Sequence, residues 1–211
     1  MKSLILIGAP GSGKGTQSSK LIEKFGYKHV STGDLLRSEI KKGSDLGKKV
    51  SSLMESGQLV DDQTVLELLK ANVDTENFSY IFDGYPRNAA QANALDEVVL
   101  GNPSKAVGVF FNIDLGKLKE RLVNRRMTAD GKNIYNLVTN PPKTEGICDI
   151  TGQELIQRKD DKEDVVTDRL DVFRKTAEEL AEFYKSRDRF YEINADADFE
   201  TVFGEISKIV E

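Results

Sequence analysis

Residues 8–17 read GAPGSGKGTQ. Gly8, Gly13 and Lys14 keep the spacing of a loop that closes backbone N–H groups around a phosphate and reaches its outer oxygens with a lysine. That pattern normally continues with a serine or threonine hydroxyl for Mg2+. Here Gly15 takes that place and Thr16 follows one residue late. A second stretch, YIFDGYPR at 80–87, ends an apolar run at Asp83 and sets Arg87 shortly after it. A carboxylate there can hold Mg2+ directly or through water, and a guanidinium fork can take phosphate bidentately. Arg37, Arg121, Arg125, Arg158 and Arg169 add further cations. Taken singly, each arginine reads as a solvated surface charge. Together they suit a transferring phosphoryl group, whose negative charge spreads over its equatorial oxygens.

These residues need elements to position them. SLILI at 3–7 is a short apolar run stopped by glycine, as a strand buried on both faces reads. From about Gly13 a helix follows, with Leu21, Ile22 and Phe25 on one face and Gly26 as its stop. Further strands are expected at Tyr27–Val30, Tyr80–Phe82, Ala106–Ile113 and 190–193. Helices are expected over 33–42, 47–56, 61–73, 88–100, 115–126, 162–187 and 198–210. A helix over 115–126 would put Arg121 and Arg125 on one face. Residues 127–161 differ: two adjacent prolines, three glycines and no helical period indicate a small β-rich insertion. Strands alternating with helices give an α/β fold, a parallel sheet with helices on both faces. Its ligand belongs beyond the carboxyl ends of the strands. The sequence shows no internal repeat and no low-complexity tract.

The bulk numbers agree with a globular domain. The chain has 211 residues, 38% hydrophobic and 31% charged, with a formal net charge of −5. That charge argues against a general nucleic-acid or membrane-surface binder, though not against local basic pockets. Cys148 is the one cysteine, so no internal disulfide and no cysteine-only zinc site can form. No signal-peptide pattern and no apolar stretch near the roughly 20 residues of a membrane span are present, and a cytoplasmic protein is expected. His29, the only histidine, falls in a predicted buried strand and reads as a packed core residue.

Seven stretches, in order, resemble the signatures of the adenylate kinase family: the loop at 8–17, STGDLLR at 31–37, GQLV at 57–60, DGYPR at 83–87 with Gln91, RLVNRR at 121–126, NPPKTEG at 140–146 and QRKDD at 157–161. The resemblance runs over essentially the whole chain, and the long insertion indicates the form with a full-sized lid. It implies a phosphate-loop nucleoside-triphosphate fold divided into core (1–30, 61–123, 162–211), an AMP-binding segment (31–60) and a lid (124–161). It also implies that Gly15 is a family feature, with Mg2+ held mainly by phosphates and by waters anchored on Asp83. Carried over residue by residue, Gly11, Ser12, Gly13, Lys14, Gly15 and Thr16 would wrap the ATP phosphates. Arg121 would stack on the ATP adenine and Arg125 would contact its phosphates. Ile134 and Tyr135 would cover its base and ribose, and Ala197 would meet the adenine through its backbone. Thr32, Arg37, Gln58, Leu59, Val60, the Gly84-Tyr85-Pro86-Arg87 turn and Gln91 would bind AMP. Gln91 can offer an adenine edge both a donor and an acceptor. Arg158 and Arg169 would bridge the moving phosphoryl group. Tyr85 stands where phenylalanine is common in the family.

The activity so implied is Mg2+-dependent, reversible transfer of the ATP terminal phosphoryl group to AMP, giving two ADP, by a monomer that needs no nucleic acid or membrane partner. Two alternatives stay open: a kinase for another nucleoside monophosphate such as UMP or GMP, and a nucleotide-driven switch or assembly protein. In some relatives zinc holds the lid; in others a polar network does. The corresponding places here are Thr128, Gly131, Cys148 and Thr151. One thiol, two hydroxyls and a glycine make a poor tetrahedral zinc site. The expectation is therefore a lid without structural metal, held by β-turn geometry and by apolar packing through Ile134, Leu137, Ile147 and Ile150.

Overall fold

Strand β1 (Ser3–Ile7) is buried along its whole length. A computed structural model, which describes all 211 residues, places it between two parallel neighbours. The sheet also contains β2 (Lys28–Ser31), β3 (Tyr80–Asp83), β4 (Ala106–Asn112) and β7 (Phe190–Asn194), in the order β2-β3-β1-β4-β7. Every pairing is parallel, so helices must cross over between strands and cover both faces.

The pleat of β1 divides the core. Leu4 and Leu6 point into one hydrophobic cluster, with Leu21 of α1 (Lys14–Phe25), Leu118 and Leu122 of α6 (Leu115–Val123), and Val202 and Ile206 of α8 (Phe199–Val210). Ile5 and Ile7 point into the other, with Leu36 of α2 (Thr32–Lys42), Val50 of α3 (Asp45–Glu55), and Val65 and Leu69 of α4 (Asp62–Lys70). This is the two-residue period of a strand buried on both sides. The long helix α7 (Glu163–Lys185) contributes to both clusters: Val166 and Leu170 to the first, Leu180 and Tyr184 to the second. No helix is long and apolar enough to cross a membrane.

Several boundaries differ from the sequence reading. Helix α5 (Ala89–Ala94) widens into a π-helical turn over Leu95–Leu100, where the buried Asp96 pairs with Arg189. Helix α6 stops at Val123, so Arg125 is not on its face with Arg121 but opens β5 (Arg125–Met127). His29 is not a core residue: β2 is the sheet's edge strand, and only Val30 of its four residues is buried.

The insertion contains β5 paired antiparallel to β6 (Ile134–Asn136), with isolated bridges such as Met127 to Ile156 and Ile147 to Glu154. Its small core is Tyr135, Cys148 and Leu155. The four residues expected to pack it, Ile134, Leu137, Ile147 and Ile150, are all exposed, Ile150 at 78%. Polar contacts organise the turns instead. Thr128 Oγ1 donates to Asp130 at 2.6 Å, and the Asp149 N–H donates to the Tyr135 hydroxyl at 2.8 Å.

Candidate active site

The loop between β1 and α1 carries Lys14, which is the first residue of the helix. Gly13 precedes it at φ 92°, a left-handed conformation that glycine adopts without penalty, and no side chain caps this helix end. The first N–H groups of α1 are thus left for an anion. Lys14 Nζ folds back over the loop and donates to the Gly8 carbonyl at 2.8 Å, the Ala9 carbonyl at 3.0 Å and Ser12 Oγ at 3.4 Å. Burial lowers its pKa. Asp83 opposes that shift, and Arg87, Arg169 and Arg125 add to it.

Asp83 ends β3 beside Leu6 of β1, which sets its carboxylate next to the loop. Burial pushes its pKa up, but His29, Lys14 and Arg87 outweigh that and hold it below the usual carboxylate range. His29 Nε2 lies 3.7 Å from Asp83 Oδ2, which gives the lone histidine a place at the site that its sequence context concealed.

Six arginines arrive from four elements, α2, α6, β5 and α7, and from two connecting segments. Arg87 follows β3; its Nε donates to the Gly84 carbonyl at 2.8 Å, and Thr32 Oγ1 donates to the same oxygen at 3.0 Å. Arg37 of α2 pairs with Asp34 at 2.6 Å. Arg125 and Arg169 both meet Asp161, which is wholly buried. Arg158 has its pKa pushed down to about 10 by burial and by the charges of Arg37 and Arg125. Arg121 lies 3.9 Å from Asp196, beside Ala197.

One cavity of about 1160 Å³ brings these groups together. Its wall includes every residue assigned to the nucleotides from the sequence: the loop from Gly11 to Thr16, Asp83 to Arg87, Thr32, Arg37, Gln58 to Val60, Gln91, Arg121, Arg125, Ile134, Tyr135, Arg158, Arg169 and Ala197. Tyr135 is nevertheless mostly turned away, with its ring in the insertion's own core, whereas Ile134 is exposed. Asp161 was missed as a site residue. The only signal was its place in QRKDD, and nothing local marks the second aspartate as the anchor of two distant arginines. No group of three or more histidine, cysteine, aspartate or glutamate side chains could hold a metal. Asp83 at the mouth of the phosphate loop instead fits a cation whose remaining ligands come from phosphate and water.

A parallel sheet that turns its carboxyl ends toward a phosphate loop and a crowd of guanidinium groups is the architecture of a phosphate-loop kinase. Within that class the chain belongs to the adenylate kinase family. A family model described as Adenylate kinase matches residues 6–189. The adenylate kinases of Shouchella clausii, Methanothrix thermoacetophila and Bacillus subtilis are 40%, 39% and 37% identical to it. Each alignment covers 99% of this chain and, in the same order, 97%, 98% and 97% of the relative. The chain is accordingly a phosphotransferase, with the ATP and AMP substrates of that family.

Proposed function

We propose that the cavity holds ATP and AMP together and passes the terminal phosphoryl group between them in line, giving two ADP. One observation carries the reading: a single cavity is lined both by the phosphate loop with Lys14 and by a second set of groups, the Arg37 and Arg87 guanidiniums with the Gln91 amide, suited to the phosphate and base of a second nucleotide. A switch protein with one nucleotide has no use for the second set.

The bond from the γ-phosphorus to the β–γ bridging oxygen breaks as a bond from an AMP phosphate oxygen forms. The loop from Gly11 to Thr16 and the N-terminus of α1 take the ATP phosphates. Lys14 exchanges its loop carbonyls for phosphate oxygens, and Arg121 and Ala197 border the ATP base. Thr32, Arg37, the backbone of Gln58, Leu59 and Val60, the Gly84-Tyr85-Pro86-Arg87 turn and Gln91 hold AMP. Arg125, Arg158 and Arg169 meet the equatorial oxygens, where charge is greatest in transit. No general base is required, because positioning and charge stabilisation supply the rate. Asp83 would hold Mg2+ through water, and the ion would supply neutralisation of phosphate charge. Residues 31–60 and the lid, 124–161, close over the core (1–30, 61–123, 162–211) and exclude water that would otherwise hydrolyse ATP. The structural zinc of some lids is absent from this scheme, and the enzyme acts as a cytoplasmic monomer.

A coupled assay of ADP formation from ATP with AMP, UMP, CMP and GMP in turn tests the reading. AMP is expected to be the preferred acceptor by at least about tenfold, the effect of one ordinary hydrogen bond to the base. Preference for GMP or UMP would overturn it.

A further inference from the structure

Gln91 lines the cavity with only 3% of its surface exposed, and both halves of its amide are engaged. Its Nε2 donates to Asp62 Oδ1 at 2.6 Å. Its Oε1 accepts from the backbone N–H of Arg87 at 2.7 Å. Asp62 is the first residue of α4, solvent-exposed and outside the cavity wall.

The two partners impose the same orientation. A carboxylate only accepts, and a backbone N–H only donates. Turning the amide over would set oxygen against the Asp62 carboxylate and N–H against the Arg87 N–H. Gln91 is therefore locked. An amide has two N–H groups and an oxygen with two lone pairs, so one donor and one acceptor remain, in a fixed order.

That order matters for a purine. Adenine presents an acceptor at N1 beside a donor, its 6-amino group. Hypoxanthine and guanine present a donor at N1 beside an acceptor, the 6-oxo oxygen. A freely turning amide can pair with either edge, while a locked one pairs with one of them. We propose that Asp62 is a specificity-determining residue that acts through Gln91. By forbidding the amide flip, it makes the acceptor site reject 6-oxopurine monophosphates. The proposal rests on the reading that Gln91 faces the acceptor base.

A simpler role is available: Gln91 sits three residues after the helix cap Asn88, whose side chain accepts its N–H, and helps start α5. A purely structural role predicts equal losses for all acceptors, and selectivity separates the two. The test is kcat/KM for AMP and for IMP, at saturating ATP, in the unaltered enzyme and in Asp62→Ala, Asp62→Asn and Gln91→Ala variants. IMP is the probe because it carries the 6-oxo group without guanine's 2-amino group. Asp62→Ala is expected to lower the AMP-to-IMP ratio about tenfold, with the IMP value rising in absolute terms. Asp62→Asn, nearly isosteric and able to donate as well as accept, is expected to lower the ratio in the same direction and covers the case where the alanine variant fails to fold. Gln91→Ala is expected to raise the KM for AMP. If it does, but the Asp62 variants leave the ratio unchanged, the lock is wrong and the site assignment survives. If Gln91→Ala leaves the KM for AMP unchanged, the site assignment itself falls and the lock with it.

Discussion

Asp161 grips Arg125 at both ends of its fork, accepting from Nε at 2.8 Å and from Nη2 at 2.6 Å across 36 positions of sequence. The same carboxylate accepts from Arg169 Nη1 at 3.2 Å, so one buried anion aims two guanidinium groups into the cavity. Asp161→Asn keeps the shape and removes the charge. Loss of one partner of a buried pair costs roughly 3 kcal/mol, a fall in Tm on the order of 10 °C. Turnover should fall with it, while Lys14 and its loop remain in place. Thermal unfolding and steady-state kinetics check both, and a variant with unchanged turnover would remove Asp161 from any positioning role.

Lys14→Met removes the one point charge of the phosphate loop. The fold should persist, since the loop backbone carries its own hydrogen bonds, such as Ser12 N–H to the Ala9 carbonyl at 3.2 Å. Turnover should drop on the order of 100-fold or more, the scale for losing a donor aimed at transition-state charge. Circular dichroism with single-turnover kinetics checks this; a folded variant of near-normal rate would refute the role.

Arg87→Lys preserves the charge and loses the planar fork, whose Nε already holds the Gly84 carbonyl. The KM for AMP should rise and turnover fall, with ATP affinity nearly unchanged. Separate nucleotide titrations decide it, and a change confined to ATP would assign Arg87 to the other substrate.

The Asp83 carboxyl stands below its usual range: burial pushes it up, and His29, Lys14 and Arg87 more than offset that. Such a group stabilises the fold at every pH above the ordinary aspartate value of about 3.9. The contribution disappears as pH falls through the lower folded value. His29→Asn weakens one of the opposing contacts, so the folded value rises and acid unfolding should begin at a higher pH. An acid titration followed by circular dichroism reads the midpoint, and no shift would mean that His29 does not support Asp83.

The lid bears on metal content. Of its four relevant places, Thr128 Oγ1 is turned to Asp130, Gly131 has no side chain, Cys148 Sγ lies 3.5 Å from the Tyr135 hydroxyl, and Thr151 Oγ1 accepts from the Gln153 N–H at 3.4 Å. Protein purified without chelator should contain far less than one zinc per chain, and chelation should leave Tm unchanged. One tightly held zinc per chain, removed together with lid stability, would contradict this.

Local signals made much of the fold and site legible. The SLILI strand, the glycine loop and the strand ending in Asp83 are each contained in a few consecutive residues, and a parallel sheet follows from their alternation with helices. What stayed hidden depends on pairings between distant segments. His29 reads as core because its strand is short and flanked by apolar residues. Only the strand's place at the sheet edge exposes it. Arg125 follows a helical pattern that Asn124 ends, and its orientation comes from Asp161. The Asp62–Gln91 contact joins two helix starts 29 residues apart, and no periodicity encodes it. The lid misled for the opposite reason. Its isoleucines suggested a core, but a segment this small gathers only Tyr135, Cys148 and Leu155 into an apolar cluster of its own and leaves those isoleucines exposed.

The cavity wall has a consequence for the protein without its substrates. The chain as a whole is acidic, yet Lys14 and six of its arginines converge on one volume, and Lys14, Arg87, Arg158 and Arg169 are all held below their ordinary pKa by burial, neighbouring cations adding to the effect and Asp83, Asp160 and Asp161 opposing it. Filled only with solvent, such a wall keeps positive charges that Asp34, Asp83, Asp160 and Asp161 offset only in part. Any polyphosphate that enters relieves their remaining repulsion and, by mass action, strengthens the fold whether or not it can react. Nucleotide is thus a counter-ion of the folded state before it is a reactant, and the protein's resistance to unfolding follows the supply of the molecules it interconverts.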